Sequence, residues 1–396
     1  MAQTQGKGIN KAWFYFALCF IVFGTMTGVM MLPALLVEIA TDFKVSVAIA
    51  GQLATATFAA WAVSIVGVGP LADSLGRRPL ALAGVFLVAA SLVASAFAPN
   101  IEVLMALRVL IGLGGGAIAP TSIGVISDVI SPAKRAQAIG GIASTIVLTS
   151  AISVPLVALF ADLWGWRLTF VLAGLFLAAA WLLNLVLYPK DSRERVRDLA
   201  FFARYWALLS LNYFRLAAVV NVTQRMAYWS LLSFFAAYLI QAYDVSVGFV
   251  ALPLVISAWG QVVGSYTAGV VATKSYRVMV VAVTSAAGGA CGLVFFVFDI
   301  GLWPAVAVGT LASGLLSVTT PVLLAGSTEY SGESKATGAS LIGFSNQGGG
   351  VLGAGLSGVL LATLGYAGIG YLCIAFTVVC ALLATVFARH MRVAGA

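Results

Sequence analysis

Four polar residues recur at helical spacing within one otherwise apolar run: Asn221, Gln224, Arg225 and Tyr228. Spacings of three and four residues place them along one side of a helix. A guanidinium flanked by amides and a phenol offers directed N–H donors of the kind that hold carboxylates and other anions. No acidic residue falls at matching depth. Glu38, Asp42, Glu102, Asp162, Asp244 and Asp299 sit at one set of segment ends, and Asp73, Asp128, Glu329 and Glu333 at the other. Arg225 must therefore be satisfied by a backbone carbonyl, by a distant carboxylate, or by an anionic ligand. Gln52, Trp61, Trp259, Gln261, Asn346 and Gln347 are further polar or amphipathic groups inside apolar runs. A few such groups among aromatics suit a small-molecule site, and each also suits a hydrogen bond between helices.

Other chemistries have no residues to run on. His390 is the only histidine and lies in the tail, so a histidine proton relay is not expected. There is no Gly-x-x-x-x-Gly-Lys-Ser/Thr phosphate loop, hence no expectation of ATP as the driving force. No nucleophile and base stand in a catalytic arrangement, so the chain is not expected to be an enzyme. Cys19, Cys291, Cys373 and Cys380 lack metal-ligand spacing and read as buried apolar thiols. Neither a metal nor a cofactor is expected.

The elements that must carry these residues follow from composition. Of 396 residues 62% are hydrophobic and 9% charged, with a mean hydropathy of +1.07. A soluble domain carries roughly 25% charged residues, so this surface must face lipid. The apolar residues form runs long enough to cross a core of about 30 Å at about 1.5 Å per helical residue. Twelve spans are expected, at 13–39, 47–70, 80–98, 101–127, 137–161, 166–188, 211–241, 246–272, 278–298, 302–327, 336–363 and 366–388. The first is longer than a signal-peptide core and is read as retained.

The formal charge of +8 is distributed by topology. Sixteen of the twenty-one basic residues lie in the termini and in the loops after even-numbered spans, while the odd-numbered loops hold only Lys44 and Arg167. This positive-inside bias places both termini in the cytoplasm of a multi-pass protein, expected in a bacterial inner (plasma) membrane. The basic charge belongs to topology and lipid headgroups, and nucleic acid is not an expected partner.

The chain also repeats itself at an offset near 200. Val45-Ser46-Val47 matches Val245-Ser246-Val247, Gly165-Trp166 matches Gly365-Tyr366, and Arg77 matches Arg277. With one residue added, Asp128 and Lys134 match Glu329 and Lys335. The organisation expected is an N-terminal six-helix bundle (1–188), a cytoplasmic linker (189–210) and a C-terminal six-helix bundle (211–396). Six helices per half make the two halves parallel, related by an axis along the membrane normal. Phe201, Phe202, Tyr205 and Trp206 in the linker suit an amphipathic segment on the membrane surface, and a solvated linker equally.

The loop after the second span reads Gly69-Pro70-Leu71-Ala72-Asp73-Ser74-Leu75-Gly76-Arg77-Arg78. It resembles the signature loop of the major facilitator superfamily, with Gly69, Asp73, Gly76, Arg77 and Arg78 at its main positions. That resemblance implies a charge cluster in which Asp73 and Arg77 pair with Asp128, latching the halves on the cytoplasmic side. The equivalent second-half loop keeps Lys274 and Arg277 but has Thr273 in place of the acid, which puts a symmetrical latch and the partners of Glu329 in doubt. In the fourth span Arg108, four residues before Gly112, resembles the family's second motif. A buried charge there suits a cavity role, and its nearness to the span's end also suits snorkelling. In the fifth span Gly141 and Pro155 match the family's antiporter motif, while Val154 stands where that motif has its key glycine.

The resemblance implies an all-α membrane protein of the major facilitator fold, twelve helices in two repeats around a central cavity, working by alternating access. Short loops and this length resemble the twelve-helix drug/proton antiporter branch. Proton-coupled efflux of a small organic compound is the first expectation, with protons as coupling ion, lipid around the chain and a monomeric state. Transport of an organic anion bound through Arg225, in either direction, is the alternative. A membrane sensor that transports nothing is a third.

Overall fold

The computed structural model describes residues 11–189, 201–331 and 335–394, and it is helical almost throughout. The side chains of Gly69, Asp73 and Asp128, and most of the polar linker, lie outside the described residues. The first span is α1 (Lys11–Met30) continued by α2 (Leu32–Asp42). They part at Met31 because Pro33 has no N–H for the carbonyl four residues back. Then come α3 (Val47–Leu75), α4 (Arg77–Ser95) and α5 (Ile101–Val129). The fifth span is α6 (Pro132–Leu148), a π-helical turn (Thr149–Ser153) and the start of α7 (Val154–Leu187). The π-turn lies directly before Val154-Pro155, where the missing proline N–H disrupts the ladder. The remainder of α7, beyond Gly165, is the sixth span.

After the short α8 (Phe201–Ser210) the second half runs through α9 (Asn212–Tyr243), α10 (Ala251–Val271) and α11 (Arg277–Val297). Its tenth span breaks into α12 (Leu302–Leu316) and α13 (Thr319–Tyr330), followed by α14 (Lys335–Leu364) and α15 (Tyr366–Ala394). Ten helical runs among the described residues are apolar and long enough to cross a bilayer by composition alone. The run from Gln137 to Leu187 holds two spans, because Gly165 leaves the helix at φ 78° and reverses the chain. The twelfth is α9, whose 32 residues are diluted by Arg215, Asn221, Gln224 and Arg225. The span that composition alone passes over is the one carrying the polar face.

The repeat is written in the backbone. Lys44 and Asp244, 200 residues apart, are the two non-glycine residues with positive φ among the described residues, at 55° and 51°. Ser46 Oγ accepts from the Ile49 N–H at 3.2 Å, and Ser246 Oγ accepts from the Phe249 N–H at 3.2 Å. Gly165 and Gly365 both take positive φ, the conformation that favours glycine. The signature loop does not repeat in this way. Gly76 at φ 99° joins α3 directly to α4, whereas Tyr276 in its place has φ −92°, and α10 unwinds four residues earlier, at Val271.

At the end bearing the odd-numbered loops the first half is stapled by Arg167. It pairs with Asp42 at 2.8 Å and donates to the carbonyls of Ala96 and Ala98 at 2.8 and 3.1 Å. Trp166 Nε1 donates to the same Asp42 carboxylate. Exposed ion pairs contribute about 0–1 kcal/mol, and charged hydrogen bonds to carbonyls somewhat more. Arg167→Ala is expected to lower stability by about 1–2 kcal/mol, seen as an earlier melting of the monomer peak in heated size-exclusion runs. An unshifted melt would show the staple to be idle.

The halves meet from this same end down to mid-depth. Gln52 Nε2 on α3 donates to the Gly355 carbonyl on α14 at 3.2 Å. The Phe58 ring lies 4.6 Å from that of Trp229 on α9. Asp162 abuts Gly248, where a Cβ would sit 2.5 Å from Oδ2. At the even-loop end Arg77, Arg78 and Arg277 each bond to a neighbour in their own half. Arg77 Nη1 donates to the Gly124 carbonyl and Arg78 Nη2 to that of Leu185, each at 2.6 Å. Arg277 holds Glu329 through two contacts of 2.7 and 2.5 Å. So Glu329 keeps a partner although Thr273 replaces the acid, and that guanidinium holds its carboxyl below the ordinary carboxylate range. Whether Asp73 and Asp128 join Arg77 rests on side chains outside the described residues.

Candidate substrate cavity

A cavity lies where the two halves converge at mid-depth. The first half contributes Met30, Pro33, Thr57, Phe58, Ser150 and Val154, and the second Tyr228, Trp229, Phe235, Ser257 and Gln261, among others. Local breaks bring several of them there. The bend before Pro33 swings Met30 and Leu32 inward, and the π-turn before Pro155 presents Ser150 beside Val154. Ser153 on the same turn is anchored by a 2.7 Å bond to Thr27 Oγ1 on α1. The wall is mainly apolar, with the rings of Phe58, Tyr228, Trp229 and Phe235 set in it and polar groups spaced along it. Tyr228 Oη donates to Gln261 Oε1 at 2.8 Å, and the buried Trp229 Nε1–H has no hydrogen-bond partner. None of the lining residues carries a formal charge.

Of the expected binding residues, Tyr228 and Gln261 line this cavity. Arg225 stands one helical turn away, its guanidinium stacked 4.2 Å from the Tyr228 ring centre. It is 4% exposed. Its Nη2 reaches the Leu316 carbonyl at 3.4 Å, while its Nε has no partner. That carbonyl is available because α12 ends at Leu316, before Thr319-Thr320-Pro321. The last four carbonyls of a helix lack intrahelical donors and carry the negative end of its dipole. Gln224 Nε2 takes the same oxygen at 2.7 Å. The guanidinium thus faces a helix C-terminus held open at mid-membrane, and one donor stays unused.

The other candidates lie elsewhere. Asn221 is buried inside the second half, donating to Ser345 Oγ at 2.8 Å and accepting from Thr320 Oγ1 at 3.1 Å. Gln347 is buried with its Oε1 unpartnered, and Asn346 is half-buried beside it. Gln52 bridges the halves nearer the odd-loop end. Trp61 is 7% exposed and packs against Gly116 on α5, within the first half. Trp259 is 59% exposed on the outer surface. Arg108 is fully buried, does not snorkel and does not line the cavity. Its Nη1 donates to the Gly28 carbonyl at 2.9 Å, and its guanidinium lies 4.7 Å from the Phe170 ring centre. Gly141 sits against Tyr15, whose hydroxyl donates to the Ala138 carbonyl, and Pro155 is buried just after the π-turn.

Sequence reasoning passed over Phe58, Trp229, Phe235 and the serines, which supply most of the rings and most of the hydroxyls of the lining. An apolar residue in an apolar run gives no contrast. The one available signal was the pair of proline-linked breaks in the first and fifth spans, which marks where backbone departs from lipid-facing helix.

The Major Facilitator Superfamily model matches residues 18–220 and again 216–394, once per half. A probable sugar efflux transporter of Mannheimia succiniciproducens is 27% identical over 69% of this chain and 67% of its own length. The 4-hydroxybenzoate transporter PcaK of Pseudomonas aeruginosa is 30% identical over 46% of this chain, which spans less than half the length of that relative. Among solved structures, a bacterial homologue of the human lysosomal transporter Spinster, in an inward-facing and occupied conformation, superimposes with a TM-score of 0.78. It is 18% identical and covers 97% of this chain and 98% of its own. Two tandem family matches, twelve spans and a backbone that repeats at an offset of 200 agree: this chain belongs to the Major Facilitator Superfamily.

Proposed function

We propose that the chain is a secondary transporter that exports a small aromatic or amphipathic organic compound from a bacterial cytoplasm, with protons as the coupling ion. The observation that carries this reading is the cavity between the halves, apolar with four aromatic rings in its wall, free of charged lining residues and closed towards the odd-loop end. Given the positive-inside bias, that end is periplasmic. The cavity holds about 80 Å³ of water-accessible space, against roughly 300–1,000 Å³ for a drug-sized ligand. Substrate entry therefore requires the halves to part, as alternating access demands. The absence of a carboxylate from the lining, with Arg225 a turn away, disfavours cations. Glu38 is the carboxylate best placed for a coupling proton, since its Oε2 is buried without a partner near the closed end.

A second reading is favoured by the unused Nε of Arg225: an organic anion whose carboxylate reaches past Tyr228 to the guanidinium. The printed names of relatives supply both kinds of cargo, an efflux transporter for sugar and a transporter for an aromatic acid. Proteoliposomes loaded with a panel of neutral aromatics, aromatic carboxylates and cationic dyes decide between them. Efflux or uptake is expected for neutral or anionic members, and imposing a pH gradient is expected to accelerate it several-fold. Movement of the cations alone would overturn the assignment, and no movement of any compound would favour a sensor.

A further inference from the structure

One ring stands between the cavity and the buried cation beside it. Tyr228 follows Arg225 by one turn on α9, lines the cavity, and has the guanidinium over its ring at 4.2 Å from the centre. Arg225 itself does not line the cavity. A compound in the cavity therefore meets a phenol where the fold holds a positive charge one layer behind.

A hydrogen bond between helices fixes that ring. Tyr228 Oη donates to Gln261 Oε1 on α10 at 2.8 Å. Ser317 also approaches the phenol, but its hydroxyl donates to the Ser313 carbonyl at 2.7 Å. Gln261 has little else to hold it, since its Nε2 reaches the Ser257 carbonyl at 3.5 Å, too long for a firm bond. A guanidinium stacked on a ring and one neutral hydrogen bond are modest interactions. A carboxylate meeting a desolvated guanidinium makes charge-assisted bonds about twice as strong as neutral ones, often in pairs. It can displace the ring, whereas a neutral acceptor of the same shape cannot. Arg225 has a donor ready, the unpartnered Nε. Because the two residues share α9, the ring comes aside by rotation of its own side chain. Parting of the halves, which substrate entry already requires, gives it room.

We propose that the Tyr228–Gln261 hydrogen bond sets the cavity's selectivity between neutral and carboxylate cargo. With the bond made, the ring caps Arg225 and the cavity accepts flat neutral compounds. With the bond broken, the guanidinium is bared and an aromatic carboxylate is held. This gate rests on the reading of the cavity as the cargo site, and it joins the two cargo classes through one movable ring. Tyr228 and Gln261 act in it as positioning residues, because they set whether Arg225 can be reached.

Benzoate and benzamide share size and shape and differ in charge. Their equilibrium binding to the full chain in nanodiscs gives an affinity ratio that does not depend on turnover. Tyr228→Phe keeps the ring and loses the bond; Gln261→Met keeps the bulk and loses the acceptor. Each is expected to raise the benzoate-to-benzamide ratio about fivefold, the factor one neutral hydrogen bond contributes. The double variant is expected to go no further, because both changes remove the same bond. In an Arg225→Gln background neither is expected to move the ratio, which separates baring a cation from a general loosening of the site. The variants break the bond from opposite sides, so if one aggregates on size exclusion the other decides. A ratio unchanged or lowered in a folded variant, or raised equally without Arg225, overturns the proposal. Selective binding without transport of either compound in proteoliposomes would remove the exporter reading and leave the gate standing. Binding of neither compound by any variant would overturn both.

Discussion

Arg225→Ala is expected to cut transport by about 10- to 150-fold while leaving the protein folded. Two effects separate here. The guanidinium is a buried charge with a donor unused and a 3.4 Å contact as its backbone bond, so its desolvation is poorly repaid. Removing it leaves the Leu316 carbonyl still bonded to Gln224 at 2.7 Å. Thermal stability should therefore stay level or rise, the opposite of what a structural arginine would show. A cationic donor adjoining a site contributes about 1.5–3 kcal/mol when it meets a charged or polar group, a factor of about 10–150 in binding. Arg225→Lys keeps the charge but loses the flat stack on Tyr228 and the fork of donors. Partial activity in that variant is expected, with an anionic cargo losing more than a neutral one. Full transport by Arg225→Ala would remove this residue from the mechanism; a collapsed melt would mean its role is to hold α9 to α12.

The second half's buried arginine has a counterpart in the first, with the connection reversed. Arg108 reaches from the fourth span to a carbonyl of the first, Gly28. Arg225 reaches from the seventh span, the repeat of the first, to a carbonyl of the tenth, the repeat of the fourth. Each target carbonyl lies close before a helix break, at Met31 in one half and at Ser317 in the other. One inter-helix contact thus binds a guanidinium in both halves, from opposite partners. The Arg108 side is sealed by Phe170, whereas the Arg225 side ends on Tyr228, which lines the cavity.

The fold was legible because lipid imposes length and hydropathy on every span, and because duplicated residues such as Ser46 and Ser246 keep duplicated jobs. The site was legible only in part. Helical spacing shows that Asn221, Gln224, Arg225 and Tyr228 share a side of α9, but α9 runs through the bundle with neighbours all around it. Asn221 turns to α14, Gln224 to the end of α12 and Tyr228 to the cavity. Which neighbour each side chain meets depends on helix packing, and one sequence carries no record of it. The pairing of Glu329 also depends on local packing. The α10–α11 loop leaves Arg277 free to reach it without the missing acid.

The glycines of α14 divide into two faces, and substitutions on them should fail in different ways. A Cβ on Gly353 would lie 2.4 Å from the Met226 carbonyl and 2.9 Å from its Cα, and one on Gly349 2.4 Å from Arg225 Cβ. That face is joined to α9 inside the second half, where backbone cannot yield. A Cβ on Gly358 would instead meet the Gln52 amide and, at 3.0 Å, the Ala48 carbonyl, both in the first half. Overpacking of a tight contact costs about 1–3 kcal/mol. For Gly353→Leu that cost falls on folding, and the expected result is a protein that aggregates or melts early. For Gly358→Leu the halves relieve it by separating at the closed end, because Gln52 holds Gly355 through one 3.2 Å hydrogen bond. A strain of about 1–3 kcal/mol moves a two-state equilibrium by a factor of about 5–150 towards the outward-open form. Spin labels at Thr41 and Ala362, which face one another across the odd-loop cleft, measure the opening as a longer distance. A short, unchanged distance in a folded Gly358→Leu protein would show that this face of α14 moves with α3. The outer gate would then have to be sought between α2 and α9, or where Asp162 meets Gly248.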